Sequence, residues 1–116
     1  MDLQEIEAEL HRRLDWSKRV NDPANEIGGR VRHLHNVPEI NCADGFHMSV
    51  QASEFHYCMP RMSNVVWEEV EVGFPSASSE LLMPFAEDPE TPTDTVYSYV
   101  PVPIVVAVIA EHGGYA

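Results

Sequence analysis

His33-Leu34-His35 and His56-Tyr57-Cys58 place metal-ligating or nucleophilic side chains two residues apart in this chain of 116 residues. Residues i and i+2 share one face of an extended strand, so the first run pairs two imidazoles and the second pairs an imidazole with a thiol. Two such pairs on neighbouring strands have the donor types of a tetrahedral zinc site, with Cys42 and His47 as further candidates. The same side chains offer another chemistry, a Cys58 thiol activated by His56 on its own face or by His47 across a hairpin. Neither reading has a supporting signature. Cys-x2-Cys knuckles are missing, Ser49 and Ser53 lie outside any nucleophile elbow, and no glycine-rich phosphate loop occurs. Glu68 and Glu69 point to opposite faces of a strand and make a poor acid–base couple. The competing reading puts His33 and His35 on a partly wet sheet face and treats Cys42 and Cys58 as small buried hydrophobes. It carries no catalytic residue, no metal and no cofactor, and it is the expectation adopted: a non-enzymatic protein.

Carboxylates are the stronger signal. The chain holds 19 acidic against 7 basic side chains, a formal charge of −12. Every Lys and Arg lies at or before Arg61, which leaves residues 1–61 at −3. Residues 62–116 carry nine carboxylates and no Lys or Arg: Glu68, Glu69, Glu71, Glu80, Glu87, Asp88, Glu90, Asp94 and Glu111. Local ion pairs cannot neutralise them, so part of this charge faces solvent together, repelling itself and attracting basic partners. Solubility alone is one sufficient explanation. The functional one is an electrostatic decoy, because Glu69 and Glu71 on one strand face sit roughly 6.6–7 Å apart, near the phosphate spacing of a nucleic-acid strand. A sequence pI of about 4.7 argues against direct binding to nucleic acid.

These side chains need elements to position them. The length fits one domain over residues 1–116, able to bury an ordinary core without staples. Asp2 and Glu5 form a capping-box-like start, and Leu3, Ile6, Leu10, Leu14 and Ser17 then lay a stripe along an N-terminal helix. Trp16 projects away from that stripe, either onto a second layer or outward as an anchor for a partner. Asn21-Asp22-Pro23 stops the helix, and a short second turn ends at Gly28-Gly29. Alternation predicts strands over 30–35, from Phe46 to Ala52 with Phe46, Met48, Val50 and Ala52 inward, from Glu54 to Met59, from Val65 to Phe74 with Val70, Val72 and Phe74 inward, and from Thr95 to Val100. Asp44-Gly45 marks a hairpin after Ile40-Asn41-Cys42. Ser78 to Leu82 reads as one helical turn, and 87–94 as an exposed, acidic, proline-bearing loop. Pro103 before and Gly113-Gly114 after the apolar run from Ile104 punctuate a buried C-terminal helix. The expected fold is α+β: a mainly antiparallel sheet of four to five strands with an N-terminal helix and a short C-terminal helix. No run reaches the 18 or so apolar residues of a membrane span. The acidic N-terminus lacks the pattern of a secretory leader, and a soluble, cytoplasmic location is the expectation.

Cys42-Ala43-Asp44-Gly45-Phe46, Ser49-Val50-Gln51-Ala52-Ser53, Phe55-His56-Tyr57-Cys58, Glu71-Val72-Gly73-Phe74-Pro75-Ser76, the stretch from Pro92 to Pro101 and the His112-Gly113-Gly114 end resemble small proteins of bacteriophages and prophages, over roughly residues 28–115. The resemblance implies a setting, the bacterial host cytoplasm, in which such proteins include anti-CRISPR and other host-defence inhibitors. It assigns no residue a role. The expected function is inhibition of a basic, nucleic-acid-handling host protein, by a monomer or homodimer that touches neither nucleic acid nor membrane. Glu68, Glu69, Glu71, Glu87, Asp88, Glu90 and Asp94 would make the contact, with Trp16 or Tyr97 as apolar anchors. The alternatives are a small His/Cys metal-binding protein or thiol enzyme, and a phage structural or assembly protein.

Overall fold

A computed structural model of the chain describes residues 1–21, 26–27, 30–31, 36–63 and 65–116. Helix α1 spans Leu3–Leu14. Its capping box is complete: Asp2 Oδ1 accepts from Glu5 N at 2.8 Å and Glu5 Oε1 accepts from Asp2 N at 3.3 Å, satisfying two of the first-turn amides. Ile6, Leu10 and Leu14 form its buried stripe, but Leu3 is 59% exposed. The helix does not run on to Ser17. It breaks at Asp15, whose carboxylate accepts from the Ser17 amide and hydroxyl, and α2 starts afresh at Trp16–Asn21.

The two short strands β1 (Glu26–Ile27) and β2 (Arg30–Val31) pair antiparallel. The rest of the strand expected over 30–35, with His33 and His35, and the turn expected from Pro23 to Gly29, apart from β1, lie outside the described residues. The main sheet is four-stranded and antiparallel, in the order β3 (Ile40–Asn41), β4 (His47–Gln51), β5 (Glu69–Gly73), β6 (Val96–Pro101). Register sorts its two faces. Ile40 opposes Met48, Val50 opposes Val72, which opposes Tyr97, and Val70 opposes Val100. All seven are buried and form the core with α1 and α3. Asn41 and His47, Ser49 with Gly73 and Val96, and Gln51 with Glu71 line the other face.

Helix α3, Val102–Glu111, follows β6 directly, with Pro103 in its first turn where no amide partner is needed. Val102, Val105, Val106, Val108 and Ile109 are buried against the sheet and α1, and this apolar burial is what holds the β-branched run as a helix. Its end locks the hairpin. Gly113 and Gly114 take φ of 86° and 85° and turn the chain back, so that Ala43 N donates to Gly114 O at 2.9 Å and Ala116 N to Asn41 O at 2.8 Å. His112 stacks on Phe46, centroids 3.9 Å apart, and its Nδ1 lies 2.7 Å from Asp44 Oδ2. Tyr115 donates its hydroxyl to Ile6 O at 3.0 Å, and burial pushes its phenol pKa up to about 12. A Cβ on Gly113 would stand 3.2 Å from the Ala43 Cβ and force an L-residue to a left-handed φ. Gly113→Ala is therefore expected to cost about 1–2 kcal/mol; an unchanged urea midpoint would refute this account of the turn.

Two further expectations need correction. Residues 54–59 form turns rather than a strand; His56 and Cys58 are buried, as expected for Cys58, while Phe55, Tyr57 and Met59 are exposed. The cause is Ser53, whose Oγ accepts from Phe55 N at 3.1 Å and whose carbonyl accepts from His56 N at 3.2 Å, so local hydrogen bonds replace a ladder. Phe74 does not face inward. It leaves β5 at φ 50° and is 54% exposed. The helical turn expected at Ser78–Leu82 is present, Leu82 N and Met83 N donating to Ser79 O at 3.2 and 3.1 Å, and it continues into a 3-10 turn over Met83–Phe85.

Candidate interaction face

The face of the sheet opposite the core gathers part of the acidic set. Glu69 and Glu71 alternate with buried Val70 and Val72, so both project from that face. Opposite Glu71 the ladder slips: Val70 pairs with Val100 but Val72 with Tyr97, so Ser98 and Tyr99 together oppose one residue of β5. This is a β-bulge, and Tyr99 absorbs it at φ 53°, an uncommon conformation for a bulky L-residue. The bulge turns the Tyr99 side chain outward. Its amide, released from the ladder, donates to Tyr57 O at 3.1 Å, while Tyr57 N donates to Glu71 Oε2 at 2.9 Å. The Tyr57 and Tyr99 rings lie 6.1 Å apart at 49°, and the Arg61 guanidinium sits 5.4 Å over Tyr57. Backbone pairing of Met59 with Glu69 fastens this segment to β5.

The acidic loop is fastened beside β6. Glu87 N donates to Val96 O at 3.0 Å, Asp88 N to Thr95 Oγ1 at 3.1 Å, and Tyr97 Oη to Pro92 O at 2.5 Å. Glu87 Oε1 accepts from Ser98 Oγ at 2.8 Å, which brings this carboxylate to the same face as Glu71. Asp88 accepts from Glu90 N and Thr91 Oγ1. Glu87, Asp88, Glu90 and Asp94 are all exposed on this loop. Among the described residues, none of the nine carboxylates after residue 61 enters an ion pair; the ion-paired carboxylates are Glu7, Glu9, Glu39 and Asp44. Glu68 lies before β5 and is exposed, its carbonyl accepting from Val102 N at the start of α3. Glu80 and Glu111 lie outside this grouping, one before the 3-10 turn and the other ending α3.

The two apolar anchors fare differently. Tyr97 is wholly buried, and the correction has a simple cause: it stands in register with Val72 on the core face, so the bulge exposes Tyr99 in its place. Trp16 is half-buried and packs into a second layer. Arg19 lies 5.6 Å over its ring and 5.4 Å over that of Trp67, and both indoles line a cleft of about 440 Å³ with His11, Arg12 and Asp15. Neither Tyr57 nor Tyr99 figured as a contact residue in the sequence reading. A positive φ at Tyr99 leaves no mark on a pattern of alternating side chains.

Of the described candidate ligands, His56, Cys42 and Cys58 are buried, whereas His47 is partly exposed with its Nδ1 3.2 Å from Glu39 Oε2. Ser53 Oγ lies 2.6 Å from His56 Nδ1, and Asn36 Oδ1 lies 2.9 Å from Nε2. With Oδ1 accepting, Nε2 carries the proton, and a neutral ring then accepts the Ser53 hydroxyl. The atom types are those of a serine hydrolase, but Ser53 is fully buried and a substrate carbonyl cannot reach it. Cys58 points its thiol at Ser53 O, 3.1 Å away, rather than at His56. Burial pushes its pKa up, which opposes the thiolate a nucleophile needs. Burial likewise raises Cys42, which pairs with Tyr115 at the edge of β3. Cys42 and Cys58 are both free thiols, and among the described residues no group of three or more His, Cys, Asp or Glu can hold a metal ion.

Raised thiol pKa values set a pH dependence. Folded and unfolded chains both hold neutral thiols below the ordinary value of about 8.5, so stability is untouched there. Above it the unfolded chain ionises first, and stability should fall as pH rises through 9 and beyond. An aromatic disulfide reagent at pH 8 should label neither cysteine in the native protein and both in urea. Fast native labelling of Cys58 would contradict its burial.

No helix among the described residues is long and apolar enough to cross a membrane. No family model, curated protein or solved structure matches the chain.

Proposed function

We propose that the chain is a non-enzymatic binding protein of phage or mobile-element origin that inhibits a basic, nucleic-acid-handling protein of the bacterial host. Glu69, Glu71 and Glu87 on the open sheet face, with Asp88, Glu90 and Asp94 on the adjoining loop, occupy the surface on which that protein would otherwise hold nucleic acid. The observation that carries this reading is that these carboxylates are held without cations. Backbone amides and hydroxyls orient Glu71, Glu87 and Asp88, while no described Lys or Arg neutralises them. Pre-oriented, unpaired charge costs self-repulsion in the free protein and regains it against a basic surface.

The test is capture from a bacterial lysate at low salt, comparing wild type with Glu69→Lys/Glu71→Lys. A nucleic-acid-binding protein should be retained, be displaced by added nucleic acid, and be released between low and moderate salt. The double reversal should weaken retention by about tenfold or more. Retention indifferent to salt and to the reversal, or no retention at all, overturns the reading.

A further inference from the structure

We infer that Tyr99, with Tyr57 and Glu71 beside it, forms a recognition point for a single arginine side chain of the partner, an inference that rests on the acidic face being the docking surface. Three observations converge on this spot. Tyr99 is 39% exposed and Tyr57 is 40% exposed, their rings in contact, which is a large apolar area to leave in water next to charged residues. The bulge that exposes Tyr99 holds it at φ 53°, and aromatic faces attract cations through their quadrupole. The chain's own Arg61 lies 5.4 Å over Tyr57, so one of these rings already carries a guanidinium.

The chemistry selects arginine over lysine. A guanidinium is planar and weakly hydrated, so it can stack on a phenol ring while its N–H groups, directed outward in its own plane, reach a carboxylate beside the ring. Glu71 is placed for that second contact: it opposes the Ser98–Tyr99 bulge across the ladder, and a single amide, that of Tyr57, holds its Oε2. An ammonium satisfies the carboxylate but remains strongly hydrated and does not stack. The acidic loop and Glu69 then supply attraction that any cation feels, and the tyrosines supply discrimination.

The experiment measures binding of two blocked nine-residue peptides, all-arginine and all-lysine, to the purified chain at low salt. Wild type should bind the arginine peptide about three- to fivefold more tightly than the lysine peptide. Tyr99→Gly, which suits the left-handed φ, should weaken binding of the arginine peptide more than that of the lysine peptide and so erase most of that preference. Arg61→Ala uncovers the Tyr57 ring and removes a like charge, so it should raise affinity for the arginine peptide more than for the lysine peptide. Equal binding of both peptides by wild type overturns arginine recognition while leaving the acidic docking face standing. A preference that survives in full in Tyr99→Gly, or falls in Arg61→Ala, overturns it too. Failure of both peptides to bind overturns the docking face and this inference together.

Discussion

Tyr97→Ala will cost about 3–5 kcal/mol of folding stability, whereas Tyr99→Gly, two residues further along the same strand, will cost no more than about 1 kcal/mol. The contrast follows from which way each ring faces. Tyr97 is fully buried among Val72 and its neighbours on the core face, so truncation removes a large apolar contact and leaves a cavity that a rigid sheet cannot close. It also frees Pro92 O, which the phenol holds at 2.5 Å, and so removes one of the ties that fasten the acidic loop to β6. Tyr97→Phe isolates that second effect and should lose about 1 kcal/mol with the core intact. At Tyr99 the terms oppose one another. Glycine relieves a left-handed strain of about 1–2 kcal/mol, but loses the contact with Tyr57 and carries more chain entropy in the unfolded state. Urea denaturation at pH 7 distinguishes the two positions. Comparable losses at both would mean that the bulge does not separate their environments.

Arg19→Ala will destabilise the protein by about 3–5 kcal/mol, although Arg19 is one of only seven basic residues and lies in a six-residue helix. Its Nη2 donates to Leu14 O and to Ala52 O, each at 2.9 Å, tying the C-terminal end of α1 to the chain just past β4. The side chain is buried, and burial lowers its pKa, though a guanidinium stays charged throughout the physiological range. Losing it leaves two carbonyls without this donor at roughly 1–3 kcal/mol each. Arg19→Lys should recover only part of the loss. A lysine can donate to a carbonyl, but it cannot lay a planar cation over both Trp16 and Trp67. Full recovery by lysine would show that hydrogen bonding alone, without the indoles, accounts for the role of Arg19.

Much of the fold was legible in local pattern. The capping box at Asp2 and Glu5, the Asp44-Gly45 hairpin, the inward set Phe46, Met48, Val50 and Ala52, and the helix between Pro103 and Gly113 all appear as read. So does the sheet, at four strands with β1 and β2 forming a separate pair. The acidic loop was legible too, because prolines and carboxylates exclude a core position. The acidic face was legible in its charge and not in its aromatics. Glu69 and Glu71 followed from alternation, whereas the exposure of Tyr99 depends on a slip in the β5–β6 ladder, which neither strand encodes alone.

By itself, then, the amino-acid order determined where α1 and α3 begin and where the Asp44-Gly45 hairpin turns, since these depend on residues within about four positions of one another, and composition showed which half of the chain carries unmatched charge. Tertiary structure alone decided which side faces inward where local turns or a bulge interrupt the alternation. Around Ser53 the buried side carries His56 and Cys58 because their polar atoms find partners in Asn36, Ser53 and Pro60. At β6 it carries Tyr97 and not Tyr99, because one extra residue must be absorbed between two strands. A period of two defines a pair of faces; hydrogen-bond satisfaction and register choose between them.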